Sequence, residues 1–220
     1  MKTSVTRKRL LPTAFAGGLG VAVTVALPQL ANAGSPMPPS VPANIQVPPG
    51  NKPFFEGHAV GTQNYVCLIA GADAAGRPRF AWTLFTPQAT LLDDERREVT
   101  THYFSANPLE PGSSVLANGA IRATWQHSAD TSTVWGKVAP GDASSDPAFV
   151  KPGAIAWLRL TAVGARNGPT GGNTLTGTTY VQRVNTSGGA APSMGCTTSS
   201  EVGNQAFVPY TADYVFYAQR

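Results

Sequence analysis

The sequence predicts an all-β protein, a single antiparallel sandwich or closed barrel with long Gly-rich loops. Three observations carry this. Beyond residue 53 the chain is a succession of short runs rich in β-branched and aromatic residues, most of them alternating with period two. Gly, Pro, Asn and Asp bound those runs, and no long amphipathic stretch of 3.6-residue period interrupts them. At least eight strands emerge, and so many in one domain-sized chain bury their faces best by closing or stacking.

The first element is not part of that domain. Residues 1–33 read as a cleavable signal peptide: Lys2, Arg7, Lys8 and Arg9 form a cationic start, and Ala14 to Leu27 is almost wholly apolar. That apolar run falls short of the roughly 20 residues that span a bilayer. Ala31, Asn32 and Ala33 supply the small-x-small pattern of a cleavage site, so a mature chain starting at Gly34 is expected, secreted or extracytoplasmic (periplasm or cell envelope), with no membrane span. The leader resembles a twin-arginine signal only loosely.

Its removal changes the charge balance. Four of the sixteen Lys and Arg lie in the leader and all twelve acidic residues lie beyond it, leaving twelve against twelve. The basic precursor therefore offers no support for a nucleic-acid partner. Residues 34–53 carry Pro36, Pro38, Pro39, Pro42, Pro48, Pro49 and Pro53, and read as a tether or packed arm preceding a β domain at 54–220.

Within that domain, His58 to Ile69 puts Tyr65, Cys67 and Ile69 on one face. Phe80, Trp82 and Leu84 share a face of the next run. Ala89 to Leu92 and Glu98 to Phe104 flank Asp93 to Arg97 as a hairpin, with a short helix through those charges as the alternative. Ile121 to Trp125 and Thr131 to Val138 form a second hairpin. Ala154 to Ala165 is apolar on both faces apart from Arg159, as in a strand buried between layers. Thr178 to Asn185 and Ala212 to Gln219 complete the set. The tracts Gly168 to Gly177 and Gly188 to Gly195 read as long loops rather than phosphate cradles, because no helix follows them.

Only two cysteines are present, Cys67 and Cys196. In an oxidising compartment they are expected to pair, closing a loop worth about 5 kcal/mol at most. No Gly-x-Ser-x-Gly, His-Glu-x-x-His or Cys-x-x-Cys motif occurs, and no cofactor or metal is expected. His58, His102 and His127 lack the spacing of strand-borne ligands. The N-terminal Gly34 excludes a histidine brace.

The binding candidates are His102, Tyr103, Trp125, Gln182 and Arg183. His102 is either a binding or acid-base group or a structural hydrogen-bonding residue. Arg183 is expected on a face with Val181 and Asn185, either paired with an acid such as Asp213 or contacting a ligand. Trp82, Trp125, Trp135, Trp157, Tyr103 and Tyr180 supply rings that stack on sugars or apolar ligands, or simply fill a core. Two functions follow: a non-catalytic module for a glycan or small ligand, or an extracytoplasmic enzyme using His102, His127, Asp130 and Arg183 in a cleft.

Across nearly all of Phe54 to Arg220 the chain resembles an exported bacterial and fungal family, domain-of-unknown-function family 3455. Gly61, Gln63–Cys67, Thr101–Tyr103, Trp125, Asp130, Ser132, Val134, Gly136 and Lys137 carry the resemblance, with Ile155–Leu158, Tyr180–Gly189 and Val208–Tyr217. It implies export, one domain and paired cysteines, and no reaction. Some fungal members carry a malate dehydrogenase label, but no Gly-x-Gly-x-x-Gly turn here would hold a dinucleotide. The chain departs from the family in an insertion, Phe104 to Arg122, which bears on any site spanning His102 and Trp125.

Overall fold

A computed structural model of the protein describes residues 36–110 and 120–220. Residues 1–33, expected to be a signal peptide, lie outside the described residues. Eight antiparallel strands close into a barrel in sequence order: β1 (Asn51–Ala72), β2 (Pro78–Leu92), β3 (Glu98–Asn107), β4 (Ala120–His127), β5 (Thr133–Ser144), β6 (Trp157–Arg166), β7 (Thr178–Gly188) and β8 (Gln205–Gln219). Of the two all-β architectures expected, the barrel is the one formed. β8 returns to β1 over a long register, Asn51 opposite Gln219 to Val66 opposite Gln205, which removes the open edges a sheet of this size would otherwise expose. Among the described residues there is no α-helix, and no helix is long and apolar enough to cross a membrane. The charged turn Asp93–Arg97 is a hairpin turn, not a helix.

Alternation places one set of side chains inside. Ala59 and Tyr65 of β1, Ala89 and Leu91 of β2, and Tyr210, Ala212, Tyr214 and Phe216 of β8 are buried, most of them meeting Trp125, Val134, Leu160 and Val181 in the main core. The other face of β6 to β8 is also apolar and forms a second core. There Trp157, Val184, Val215 and Tyr217 pack outside the barrel against Ile45 and Val150.

The proline-rich segment is thus a packed arm, pinned by the fully buried Ile45 of its single 3-10 turn, Ala43–Ile45. Gln182 donates to the Ile45 carbonyl (2.7 Å) and Asn44 reaches the carbonyls of Gly141 and Ala143. A segment rich in Pro lacks the N–H groups to join the sheet, so side chains anchor it instead. β1 begins at Asn51, three residues before the boundary read from the prolines.

Two strands are longer than their sequence pattern. Phe80–Phe85 and Ala89–Leu92 are one strand, β2, running through Pro87, and β8 starts at Gln205 and runs through Pro209. Both prolines sit where the wall parts. β2 meets β3 only over Ala89–Leu92, and the Phe104 N–H donates to the Thr86 hydroxyl (3.0 Å) where a ladder bond would require Pro87's region to pair. β7 ends at Gly188, opposite Tyr210, next to Pro209. A strand with one unpaired side tolerates proline.

One end of the barrel is plugged. The Gly-rich loop between β6 and β7 folds back so that Leu175 is fully buried in the main core. Asp130, in the β4–β5 turn, holds it by accepting from the Thr174 N–H (2.9 Å) and hydroxyl (2.7 Å). The approach is close enough that a Cβ at Gly172 would stand 2.3 Å from that of Asp130, so glycine is required there.

Candidate functional site

The opposite end of the barrel is open among the described residues and lined from all eight strands. It holds a cavity of about 510 Å³, inside the range usual for small-ligand sites. Apolar walls come from Leu84, Phe104, Ile155, Leu158 and Leu160, and polar atoms from Gln63, His102, Lys137 and Arg183. Among the described residues no Asp or Glu lines it.

Three of the five binding candidates meet here: His102, Trp125 and Arg183. His102 and Trp125 are register partners on β3 and β4, and their rings stack at 4.4 Å with 7° between planes. His102 Nδ1 donates to the Thr124 carbonyl (2.8 Å), which assigns the proton to Nδ1 and leaves Nε2 as an acceptor. Complete burial pushes the imidazole pKa down to about 3, and the nearby Arg183 cation adds to that depression against the opposing Thr124 bond. His102 is therefore neutral at ordinary pH.

That depression has a measurable sign. The unfolded chain binds a proton at His102 below its ordinary value of 6.5 while the folded chain refuses it until about 3, so stability is full above 6.5 and falls on acidification through that window. At pH 4.5 the expected loss is about 2–3 kcal/mol. His58 works in the opposite direction: its Asp213 hydrogen bond raises its pKa despite partial burial, a stabilisation full below 6.5 and lost as pH rises through the folded value. Comparing denaturant midpoints of wild type and His102→Gln at pH 7 and 4.5 isolates the His102 contribution. Equal acid sensitivity in both proteins would assign the effect elsewhere.

Arg183 occupies the inward face of β7, opposite Tyr214 of β8. The expected pairing with Asp213 does not form, because Asp213 lies between the inward Ala212 and Tyr214 and points outward. Asp213 instead binds His58 (2.7 Å) and Asn185 (2.7 Å). Arg183 donates from Nε and Nη2 to the Ala156 carbonyl (3.1 and 2.8 Å), and no ion pair among the described residues includes it.

The other two candidates lie outside. Tyr103 is on the outer face of β3, beside a shallow groove with Val60, Thr62 and Thr90. Gln182, inward of nothing but the arm, donates to Ile45 and accepts from the Tyr217 hydroxyl. His127 and Asp130 do not line the cavity: His127 stands edge-on to Phe55 at 5.7 Å, and Asp130 serves the plug loop. Partial burial opposes ionisation of Asp130, but bonds from Ser132 and Thr174 hold its carboxyl well below the usual range.

The sequence reading missed Gln63, Tyr65, Phe104 and Lys137. Gln63 and Tyr65 fall on the inward face of β1, in the stretch that carries the family resemblance. Gln63 Nε2 is buried without an acceptor, as is Trp125 Nε1. Tyr65 donates to the Gly189 carbonyl (2.6 Å), and a Cβ at Gly189, whose φ is +81°, would meet Gln63, Ile155 and Tyr210 at 2.9–3.1 Å. The described part of the insertion extends β3 and β4 past the His102–Trp125 pair and adds Phe104, Ile121 and Arg122 to the cavity wall; residues 111–119 lie outside the described residues.

Three of the four tryptophans are buried: Trp125 fully, Trp157 under Phe149 and the arm, and Trp135 with its Nε1 on Ser105 Oγ, while Trp82, partly exposed and outside the cavity, donates its Nε1 to Met194 O. The three histidines do not converge. Among the described residues one group could hold a metal, Glu56, His58 and Asp213, with ligand atoms within 4.8 Å of one another. Both nitrogens of His58 already face carboxylates, Asp213 and Asp94, which suits an imidazolium bridge.

The Cys67–Cys196 disulfide ties β1 to the β7–β8 loop, with a Cα separation of 5.4 Å. Together with the lack of a spanning helix among the described residues, it is compatible with an extracellular location. In comparisons with known proteins, the sequence model of a family described as "Protein of unknown function (DUF3455)" matches residues 48–218. No curated protein and no solved structure matches the chain.

Proposed function

The chain belongs to the DUF3455 family of proteins of unknown function, and from the barrel mouth we propose that it is an exported, non-catalytic binding module for a small, partly apolar ligand. The observation that carries this reading is the cavity of about 510 Å³, whose lining residues Gln63 and Trp125 each keep a buried donor, Nε2 and Nε1, with no partner among the described residues. Buried polar groups are nearly always satisfied, and a ligand supplies what the fold withholds. A glycan is less suited to this cavity, because Trp125, the tryptophan that lines it, is fully buried and stacked on His102.

An enzymatic reading has less support. Its four residues are divided between the cavity and the plugged end, and an imidazole with a pKa of about 3 is a weak general base at neutral pH. Export rests on the leader and on the disulfide.

Thermal unfolding with a panel of small apolar molecules and soluble oligosaccharides tests the proposal. Ligands of the first kind at 100 times Kd should add about 2.7 kcal/mol of stability and alter tryptophan fluorescence. Retention on insoluble polysaccharide without any response to the small molecules would overturn it.

A further inference from the structure

We infer that the ligand bound in the barrel mouth is an anion, a carboxylic acid with an apolar body, an inference that rests on the binding reading above. The argument begins with charge. Arg122, Lys137 and Arg183 line the cavity and, among the described residues, no acidic residue does. Arg122 is spoken for, since Glu110 accepts from its Nε (2.8 Å) and Nη2 at the rim. Lys137 is exposed at the mouth and Arg183 lies deeper, half-buried, with only a neutral carbonyl as partner.

A guanidinium set among apolar walls without a counter-ion is costly, and Asp213, the nearest candidate in sequence register, is spent on His58 and Asn185. The fork of Arg183 matches a carboxylate, whose charge would repay that cost. Hydrogen-bond balance points the same way. The amide of Gln63 and the indole of Trp125, both of residues that line the cavity, are buried donors without acceptors among the described residues, and a ligand that brings oxygen lone pairs would suit them. His102 stays neutral and adds no competing anion site. The walls of Leu84, Phe104, Ile155, Leu158 and Leu160 exclude a fully hydrated ion such as inorganic phosphate and require an apolar body.

Isothermal titration of the disulfide-bonded protein with matched series tests this: octanoate, octanamide and octylamine, then 4-phenylbutanoate, its amide and the corresponding amine. The acid of each series should bind at least about tenfold more tightly than its amide, with the amine weakest. Arg183→Met should bring the acid-to-amide ratio close to one while the amide still binds, and Arg183→Lys should retain part of the preference. Lys137→Met, at an exposed position, should lower acid affinity and its salt dependence less severely. Acid and amide binding equally well to the wild type would overturn the anion inference and leave the binding reading standing. Absence of binding by every member of both series would overturn both. The wild-type comparison decides the matter even if an Arg183 variant fails to fold.

Discussion

Trp125→Ala is expected to destabilise the protein by about 3–5 kcal/mol, the range for emptying a fully buried aromatic site. Trp125 is 0% exposed, stacks on His102, and meets Tyr214 and Phe216 edge-on at 5.5 and 5.9 Å. These rings come from β3, β4 and β8, so no single strand can move to fill the space. A closed ladder resists collapse more than an open sheet does, which favours the upper part of the range. Because Trp125 also lines the cavity, the variant should lose ligand response. Trp125→Phe, which keeps most of the volume, should cost much less. Urea unfolding midpoints check both, and a loss below about 1 kcal/mol for the alanine variant would mean that the interior is not packed around this residue.

Reduction of the Cys67–Cys196 bond should cost up to about 5 kcal/mol, the loop-entropy value for a closure of 129 residues. The native geometry does not depend on the bond alone. The Cys67 N–H donates to Asn204 O (2.9 Å) and the Gly203 N–H to Cys67 O (3.0 Å), while Trp82 Nε1 donates to Met194 O (2.9 Å). The loop therefore remains docked when the sulfurs separate, and the main effect falls on the unfolded chain, which gains freedom. The expected signature is a lower midpoint with an unfolding slope at least as steep, since the reduced unfolded chain expands. Unfolding with and without reductant, or of the Cys67→Ser, Cys196→Ser double variant, measures it. Equal midpoints would show that the bond contributes nothing to equilibrium stability.

Much of the fold was legible in the chain for a local reason. Period-two alternation follows from backbone geometry, so Ala59 to Tyr65 and Tyr210 to Phe216 announce their faces without any partner. Where the reading fell short, a proline was usually responsible. Pro87 split one strand into two and Pro209 hid the first half of β8, because proline argues against a paired strand and neither position is paired on both sides. In the N-terminal arm the same logic worked in reverse: the prolines marked an unpaired segment, but only packing revealed that Ile45 is as buried as any core residue.

The site was legible only in part. His102, Trp125 and Arg183 stood out by residue type, whereas Gln63 and Lys137, although they carry the family resemblance, have no residue-type signal that marks them as site residues. Gln182 and Arg183 are neighbours with opposite fates, one under the arm and one in the cavity, and alternation predicts that they differ without saying which is which.

By itself the sequence determined the all-β fold class, the alternation of faces along the strands and the availability of one cysteine pair, all of which depend on neighbouring residues or on composition. Tertiary structure alone decided that the sheet closes, that the loop carrying Leu175 plugs one end while the other holds the cavity, and that Asp213 faces away from Arg183. Those outcomes depend on strand register and on contacts between residues distant in the chain. Register turns an arginine that looked like half of a structural ion pair into a cavity cation with no ion-pair partner among the described residues.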